Sequence, residues 1–341
     1  MRIVLDPWGG DYGSQISTPH EADTDDTMMQ ILDEEGEQCP WAPVDPHPLM
    51  LPRETVVVDG VMRSDAFGMV EEGERRALAL FGIFAAGAVS INSQVRIVEE
   101  RVVRLFLTGS NWPATENVNV PVGRSGNLCY LGFSAKDETY EDLREALINE
   151  MRRAEAQVAE RLTSADSLVL ADGSLKFFGG ASSVVGVIKT IHKLYLPHKR
   201  ASLLSRLEPG QRTPFFCIES KRKNTGYRML TCYLRLARAQ PIELPFAGLV
   251  RLEVNPSQRE QRDVSEVFNQ AAVKVKALAS RAPKDPRAPQ NLIPVGGLER
   301  RLRHQLGDAQ LVIRGIKQKL RDLQRDGDPL VTQTRRGLED F

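Results

Sequence analysis

Two β-branched runs in this chain each stop at an aspartate followed by a glycine: Thr55-Val-Val-Val-Asp59-Gly60 and Ser167-Leu-Val-Leu-Ala-Asp172-Gly173. Such runs read as strands, and the Asp-Gly step reads as an abrupt end. Acids at strand C-termini lie at one edge of a sheet, where open α/β sheets place their chemistry. The glycine lets the chain turn sharply and lets a ligand approach the backbone closely. A lone Asp-Gly is an ordinary turn signal. Two of them at matched positions constrain the fold much more.

The intervening sequence fills the sheet. Ala77–Asn92 reads as a long strand bent at its glycines, and Val95–Leu107 as the next, so three strands in succession form a meander within a mixed sheet. Residues 139–162 read as a helix. Thr139 serves as N-cap with Asp142 near the positive helix end, and Leu143, Leu147, Met151, Ala154, Val158 and Leu162 form its apolar stripe. Glu155 lies four residues after Met151 and flanks that stripe, while Glu150 flanks its other side. Glu155, with Glu150 as the rival, is therefore expected to join Asp59 and Asp172 at the sheet edge. Three converging carboxylates repel one another unless a cation neutralises them, and an all-oxygen donor set suits Mg²⁺ or Mn²⁺.

Strand, two further strands, acid-bearing helix and a second acid-ended strand follow one another as in a ribonuclease H-like sheet. The expected fold is thus α/β: a ribonuclease H-like mixed sheet flanked by helices, with extra helical and irregular insertions. Later strands are expected at Phe215–Glu219, Tyr227–Leu236 and Gly248–Val254, with Val184–Lys193 before them. Val264–Ser280 reads as a helix, Ala282–Pro294 as Pro-rich and irregular, and Gly297–Arg325 as a helix or helix pair broken near Gly307-Asp308.

The chain resembles the NurA-family nucleases, partners of the HerA motor ATPase. The resemblance is carried by Val56-Val-Val-Asp59-Gly60, Arg152-Arg153-Ala-Glu155, Leu168-Val-Leu-Ala-Asp172-Gly173-Ser-Leu175, Val185-Gly-Val-Ile-Lys189-Thr190 and Leu249-Val-Arg251-Leu-Glu253-Val. It covers the chain from about residue 50 onward, so residues 51–341 read as one nuclease domain. It implies that Asp59, Glu155 and Asp172 hold Mn²⁺ or Mg²⁺, and that the protein cuts DNA. The implied activities are a 5′-to-3′ exonuclease and a single-strand endonuclease, in end resection alongside a HerA-type hexameric ATPase. It also implies a homodimer. A tyrosine of the family's site finds its nearest counterpart in Tyr195. A late histidine has no counterpart in Pro289-Gln-Asn-Leu-Ile-Pro-Val-Gly-Gly-Leu-Glu299, which leaves water or His304 in its place.

Charge points the same way once its order along the chain is read. The 45 basic and 45 acidic residues cancel. Residues 1–50 nevertheless hold eleven acids and one base (net −10), and residues 189–238 hold twelve bases and two acids (net +10). The first block reads as an acidic, irregular N-terminal arm, either solvated or docked, with two possible helical turns at Thr27–Leu32. The second reads as a DNA-binding stretch: Lys189, Lys193, Lys199, Arg200, Lys221, Arg222, Lys223 and Arg228, interleaved with Phe215, Phe216, Tyr227 and Tyr233. The aromatics are expected in the core, and Lys189 is expected to reach the site. Leu298, Leu302 and Leu306, spaced by four, and the leucines and isoleucines after them mark either core packing or a dimer or motor-docking face at about 297–326.

Other classes are excluded. No GxxxxGK[ST], GxGxxG after a strand, or GxSxG is present. Cys39, Cys129, Cys217 and Cys232 form no CxxC, which argues against a disulfide scaffold or a zinc knot and for a reducing cytoplasm, nucleoid-associated if DNA is the partner. No apolar run approaches the roughly 18–20 residues of a membrane span, so no membrane partner is expected.

Overall fold

The computed structural model describes residues 2–5, 29–32, 36–110, 112, 116–123, 126–136, 139–178, 184–191, 194–220, 228–239, 247–256, 261–281 and 288–326. In chain order the strands are β1 (Arg2–Leu5), β2 (Met29–Leu32), β3 (Glu54–Glu72), β4 (Arg75–Ile91), β5 (Val95–Thr108), β6 (Val118–Pro121), β7 (Asn127–Ser134), β8 (Ser167–Asp172), β9 (Val184–Ile188), β10 (Phe216–Ser220), β11 (Arg228–Arg235) and β12 (Leu249–Val254). The helices are α1 (Tyr140–Arg161), α2 (His198–Ala201), α3 (Gln261–Leu278), α4 (Ile293–Gln305) and α5 (Ala309–Asp326).

All the strands join one sheet, ordered β2-β10-β11-β12-β9-β8-β3-β4-β5-β7-β6, with β1 pairing β3. The β3-β4-β5 meander is antiparallel, and β8 lies parallel to β3 and to β9. Its centre therefore runs β5-β4-β3-β8-β9, the order expected of a ribonuclease H-like sheet. The class is α/β, a mixed sheet with flanking helices.

Both faces are covered. One core layer joins Val57, Leu170 and Val187 of the sheet to α3 and α4 through Phe268, Val275, Val295, Leu298 and Leu302. The other joins Val56, Val58 and Val169 to α1 through Leu143, Leu147, Ala154 and Val158. Adjacent residues of β3 thus serve opposite layers, as the period-two geometry of a strand demands. α1 begins as expected: Thr139 caps it, and Asp142 closes a capping box.

Several boundaries differ from those read in the sequence. β3 does not stop at Gly60; it continues to Glu72, because β4 is long enough to pair it to the end. On its other side, however, the pairing with β8 stops at Val58 and Ala171. The final helix pair starts at Ile293, with Pro294 in the first turn, where a missing N–H costs nothing. The break at Gly307 is present, with φ of 76°.

Residues 1–50 are not simply an irregular arm. β1 pairs β3, and β2 extends the far edge of the sheet beside β10; Met29–Leu32 is a strand where helical turns were expected. Leu298, Leu302, Leu306, Ile316 and Leu320 are buried within the chain as core packing, whereas Leu311 is exposed. Among the described residues no helix is long and apolar enough to cross a membrane. The four cysteines are free thiols.

Candidate active site

Register brings the two aspartates together. Val58 and Ala171 are the last paired residues of β3 and β8, and Asp59 and Asp172 follow them side by side. The parity of the strands points both toward α4. Asp59 pairs with Gly87 of β4, and a Cβ built on Gly87 meets Leu302 and Leu298 of α4 at 3.0 and 3.4 Å. Asp172 pairs with Val187, which belongs to the α3/α4 layer. Gly173 holds φ of 113°, a left-handed value that suits glycine, and this turns the chain away directly after Asp172.

Asp59 is only 7% exposed, and its Oδ2 is buried without a hydrogen-bond partner. Burial raises its pKa, the charge of Asp172 raises it further, and the net result is about 8 despite the opposing charge of Lys189. Glu299 of α4 adds to the rise, and the backbone N–H of Gly60 lowers it. Lys189 Nζ donates to Asp172 Oδ2 at 2.5 Å and to Asn291 Oδ1 at 2.8 Å. Asn291 is fully buried just ahead of α4. Asp172, Lys189, Val57 and Val295 line one cleft between the sheet and α4.

Glu155 reaches the same stretch of β3. A Cβ on Gly60 would collide with Glu155 Oε1, so the Glu155 carboxylate lies against Gly60. Gly60 pairs with Ala86 and shares the parity of Val58, so that contact is on the α1 layer. The Glu155 carboxylate therefore lies next to the residue after Asp59, just past the last β3–β8 pair of Val58 and Ala171. The helix residue flanking the stripe thus reaches the sheet at the residue after Asp59, from the α1 side. Glu150, the rival, pairs instead with Arg153 one turn on. Among the described residues no three His, Cys, Asp or Glu side chains form a group able to hold a metal as they stand.

Tyr195 also lies elsewhere. Its ring carries the Arg251 guanidinium at 4.7 Å, and Arg251 pairs with Glu253 at 2.8 Å. Glu253 and Leu175 pack at Gly186, which pairs with Ala171 and faces the α1 layer. His304 is exposed in the last turn of α4.

The basic block divides. Lys199 is exposed on α2, Arg200 lies over the Trp41 ring at 5.0 Å, and Arg228 is half-buried. Lys193, Lys221, Arg222 and Lys223 lie outside the described residues. Arg212 and Arg235 are buried, the first against Glu37 and the second against the carbonyls of Ala247 and Leu204. The block is therefore not one solvated basic face. Phe215, Phe216 and Tyr233 are core residues, as expected.

One site residue escaped the sequence reading: Asn291 gave no signal, since only folding brings it to Lys189.

No protein-family model matches this chain, and no curated protein matches it. Among solved structures it is similar to the NurA nuclease from Sulfolobus solfataricus, with a TM-score of 0.43 and 12% identity, over 89% of this chain and 90% of that one. That likeness is too slight to transfer any residue's role.

Proposed function

We propose that the chain is a metal-dependent deoxyribonuclease centred on Asp59 and Asp172. The observation that carries this reading is the buried Asp59 carboxylate beside Asp172, with one oxygen left unpartnered. A buried carboxylate pair costs free energy unless a proton or a cation sits between its members. The all-oxygen pair fits a hard divalent ion, Mn²⁺ or Mg²⁺. When bound, such an ion supplies acidification of a water and neutralisation of charge at a phosphodiester.

The chain's own residues do the rest. Asp59 and Asp172 would hold the ion. Lys189, fixed by Asn291, keeps a positive charge at Asp172 and stands ready to offset charge on a phosphate oxygen. α4 covers the pair and limits water. The resemblance of the sequence motifs to NurA-family nucleases supports DNA as the substrate. It also supports the finer reading: 5′-to-3′ exonuclease and single-strand endonuclease activity in end resection, a homodimer, a HerA-type ATPase partner and a nucleoid location in the cytoplasm.

A second reading is a non-catalytic DNA-binding subunit of a motor complex. It is favoured by the lack of a histidine in Pro289-Gln-Asn-Leu-Ile-Pro-Val-Gly-Gly-Leu-Glu299. One experiment separates the two: purified protein is incubated with single- and double-stranded DNA in Mn²⁺, Mg²⁺ or EDTA. The wild type should cut with metal only, and Asp59→Asn should cut at least ~100-fold more slowly. Equal rates, or no cutting of any DNA by the wild type, would overturn the nuclease reading.

A further inference from the structure

We propose that the outer face of the α4–α5 helix pair is a docking surface for the DNA backbone, centred on Arg314, Lys317 and Arg321. This rests on the reading of DNA as substrate and goes beyond it by naming where the strand is held outside the cleft.

Both helices lie on one side of the sheet. Leu298 and Leu302 of α4 share a core layer with Ile83 and Ala85 of β4. Val312, Ile316 and Leu320 of α5 share one with Ala79 and Phe81 of the same strand. These four β4 residues have one parity, so the two helices cover one face in succession. What they turn away from the sheet is basic. On α5, Val312, Gly315, Ile316 and Leu320 are buried. Arg314, Lys317 and Arg321, at spacings of three and four, are exposed on the opposite side. Arg300 and Arg303 take the same outer positions on α4.

The acids of this segment do not neutralise that face. Residues 293–323 hold seven lysines and arginines against three acids. Asp308 accepts from the Leu311 N–H at 2.8 Å and so caps α5. Asp322 is half-buried and accepts from Gln318 Nε2 at 2.8 Å, and Glu299 is half-buried. Arg301 is held by Glu100 at 2.7 Å. Among the described residues, Arg300, Arg303, Arg314, Lys317 and Arg321 make no ion pair. A helix face kept only for solubility mixes its signs, because like charges three and four apart repel. A row of like charges about 10 Å long is instead complementary to a polyanion.

Two observations favour DNA over an acidic protein. The core of a protein interface needs apolar anchors, and Leu311 is the one large apolar side chain exposed on α5 among the described residues. The tract is also continuous with the candidate site, since Val295 of α4 lines the cleft that holds Asp172 and Lys189.

The test is DNA binding by the full chain in EDTA, followed by fluorescence anisotropy of labelled single- and double-stranded oligonucleotides between about 50 and 200 mM KCl. The tract variant is Arg314→Gln/Lys317→Gln/Arg321→Gln. A charge-matched control, Arg53→Gln/Arg75→Gln/Arg96→Gln, removes three exposed bases near strand starts. Circular dichroism checks that both fold. The tract variant should flatten the slope of log affinity against log salt by about 2–3, and weaken binding at least ~10-fold at the lowest salt, alike for every sequence. The control should keep the wild-type slope within about 0.5. An equal loss in the control would reduce the effect to net charge and overturn the tract. A tract variant that binds DNA like the wild type but loses binding to polyglutamate would mark an acidic-protein surface, and would also overturn it while leaving the DNA reading intact. A wild type that binds no DNA at the lowest salt would overturn both. Cleavage in Mn²⁺ is read separately: a chain that binds through the tract and cuts nothing would lose the nuclease reading and keep this surface.

Discussion

Asp59 shows how one residue can be poor for stability and useful for function. Burial, then the neighbouring Asp172, lift its pKa to about 8 from an ordinary 3.8. The folded chain thus holds this proton more tightly than the unfolded chain does. The resulting stabilisation is complete below about pH 4 and is lost as pH rises through about 8. Asp59→Asn mimics the protonated form at every pH. In EDTA its Tm should exceed that of the wild type by a margin that grows from about pH 4 to about pH 8 and then levels off. A constant margin would show that Asp59 does not titrate in this way. Gaining stability while losing cleavage is the exchange expected of a residue kept for chemistry. At this scale the sequence was informative about Asp59, Asp172 and Lys189. Their short motifs place them at strand ends, where backbone register alone decides proximity. It brought Glu155 to the sheet, where its carboxylate lies against Gly60, but a helical stripe does not say which face of a sheet the helix will cover.

Elements were read well where periodicity was strong and poorly where a partner decided the outcome. The stripe and capping box of α1 are local, and its observed span agrees with them to a residue at each end. The end of β3 is not local. Only β4, paired from Thr55–Ile91 to Glu72–Arg75, carries the strand past Gly60. Gly296-Gly297 lowers the helical propensity of α4, so the sequence suggests a later start than the true one at Ile293. Gly60 itself is required by α1: an added Cβ would strike Glu155 Oε1 and sit 3.0 Å from Met151 Cγ. Gly60→Ala should therefore cost ~1–3 kcal/mol, measured by urea unfolding, as α1 is pushed off the sheet. A loss below about 0.5 kcal/mol would show that Glu155 is free to swing away.

Across the whole molecule, the acidic and basic blocks prove to be partners in part. Arg212 is wholly buried, and its guanidinium grips Glu37 through two bonds of 2.6 and 2.8 Å. Ser265 Oγ donates to Glu37, the Phe215 N–H does so too, and Asn269 accepts from Arg212. Burial would raise the Glu37 pKa, but the bond and charge of Arg212 more than offset it and leave it lowered. The pair thus stabilises the fold above the ordinary range of a glutamate and is lost as pH falls through the lowered folded value. Glu37→Ala leaves a buried cation uncompensated. It should cost roughly 3–5 kcal/mol in urea unfolding at neutral pH. A cost near zero would mean that residues 36–44 detach without consequence for the core.

The sequence by itself determined the order of the central strands and helix, the α1 cap, the burial of the aromatics, and the two aspartates. Each of these follows from nearest-neighbour chemistry or a short period. Only the tertiary structure decided that the Glu155 carboxylate lies against Gly60, that Asn291 fixes Lys189, and that an N-terminal glutamate neutralises Arg212. Those three depend on contacts between residues more than a hundred positions apart or on the side from which a helix approaches. The sidedness of a sheet turns on a parity of one residue, and nothing in the composition of a helix records it.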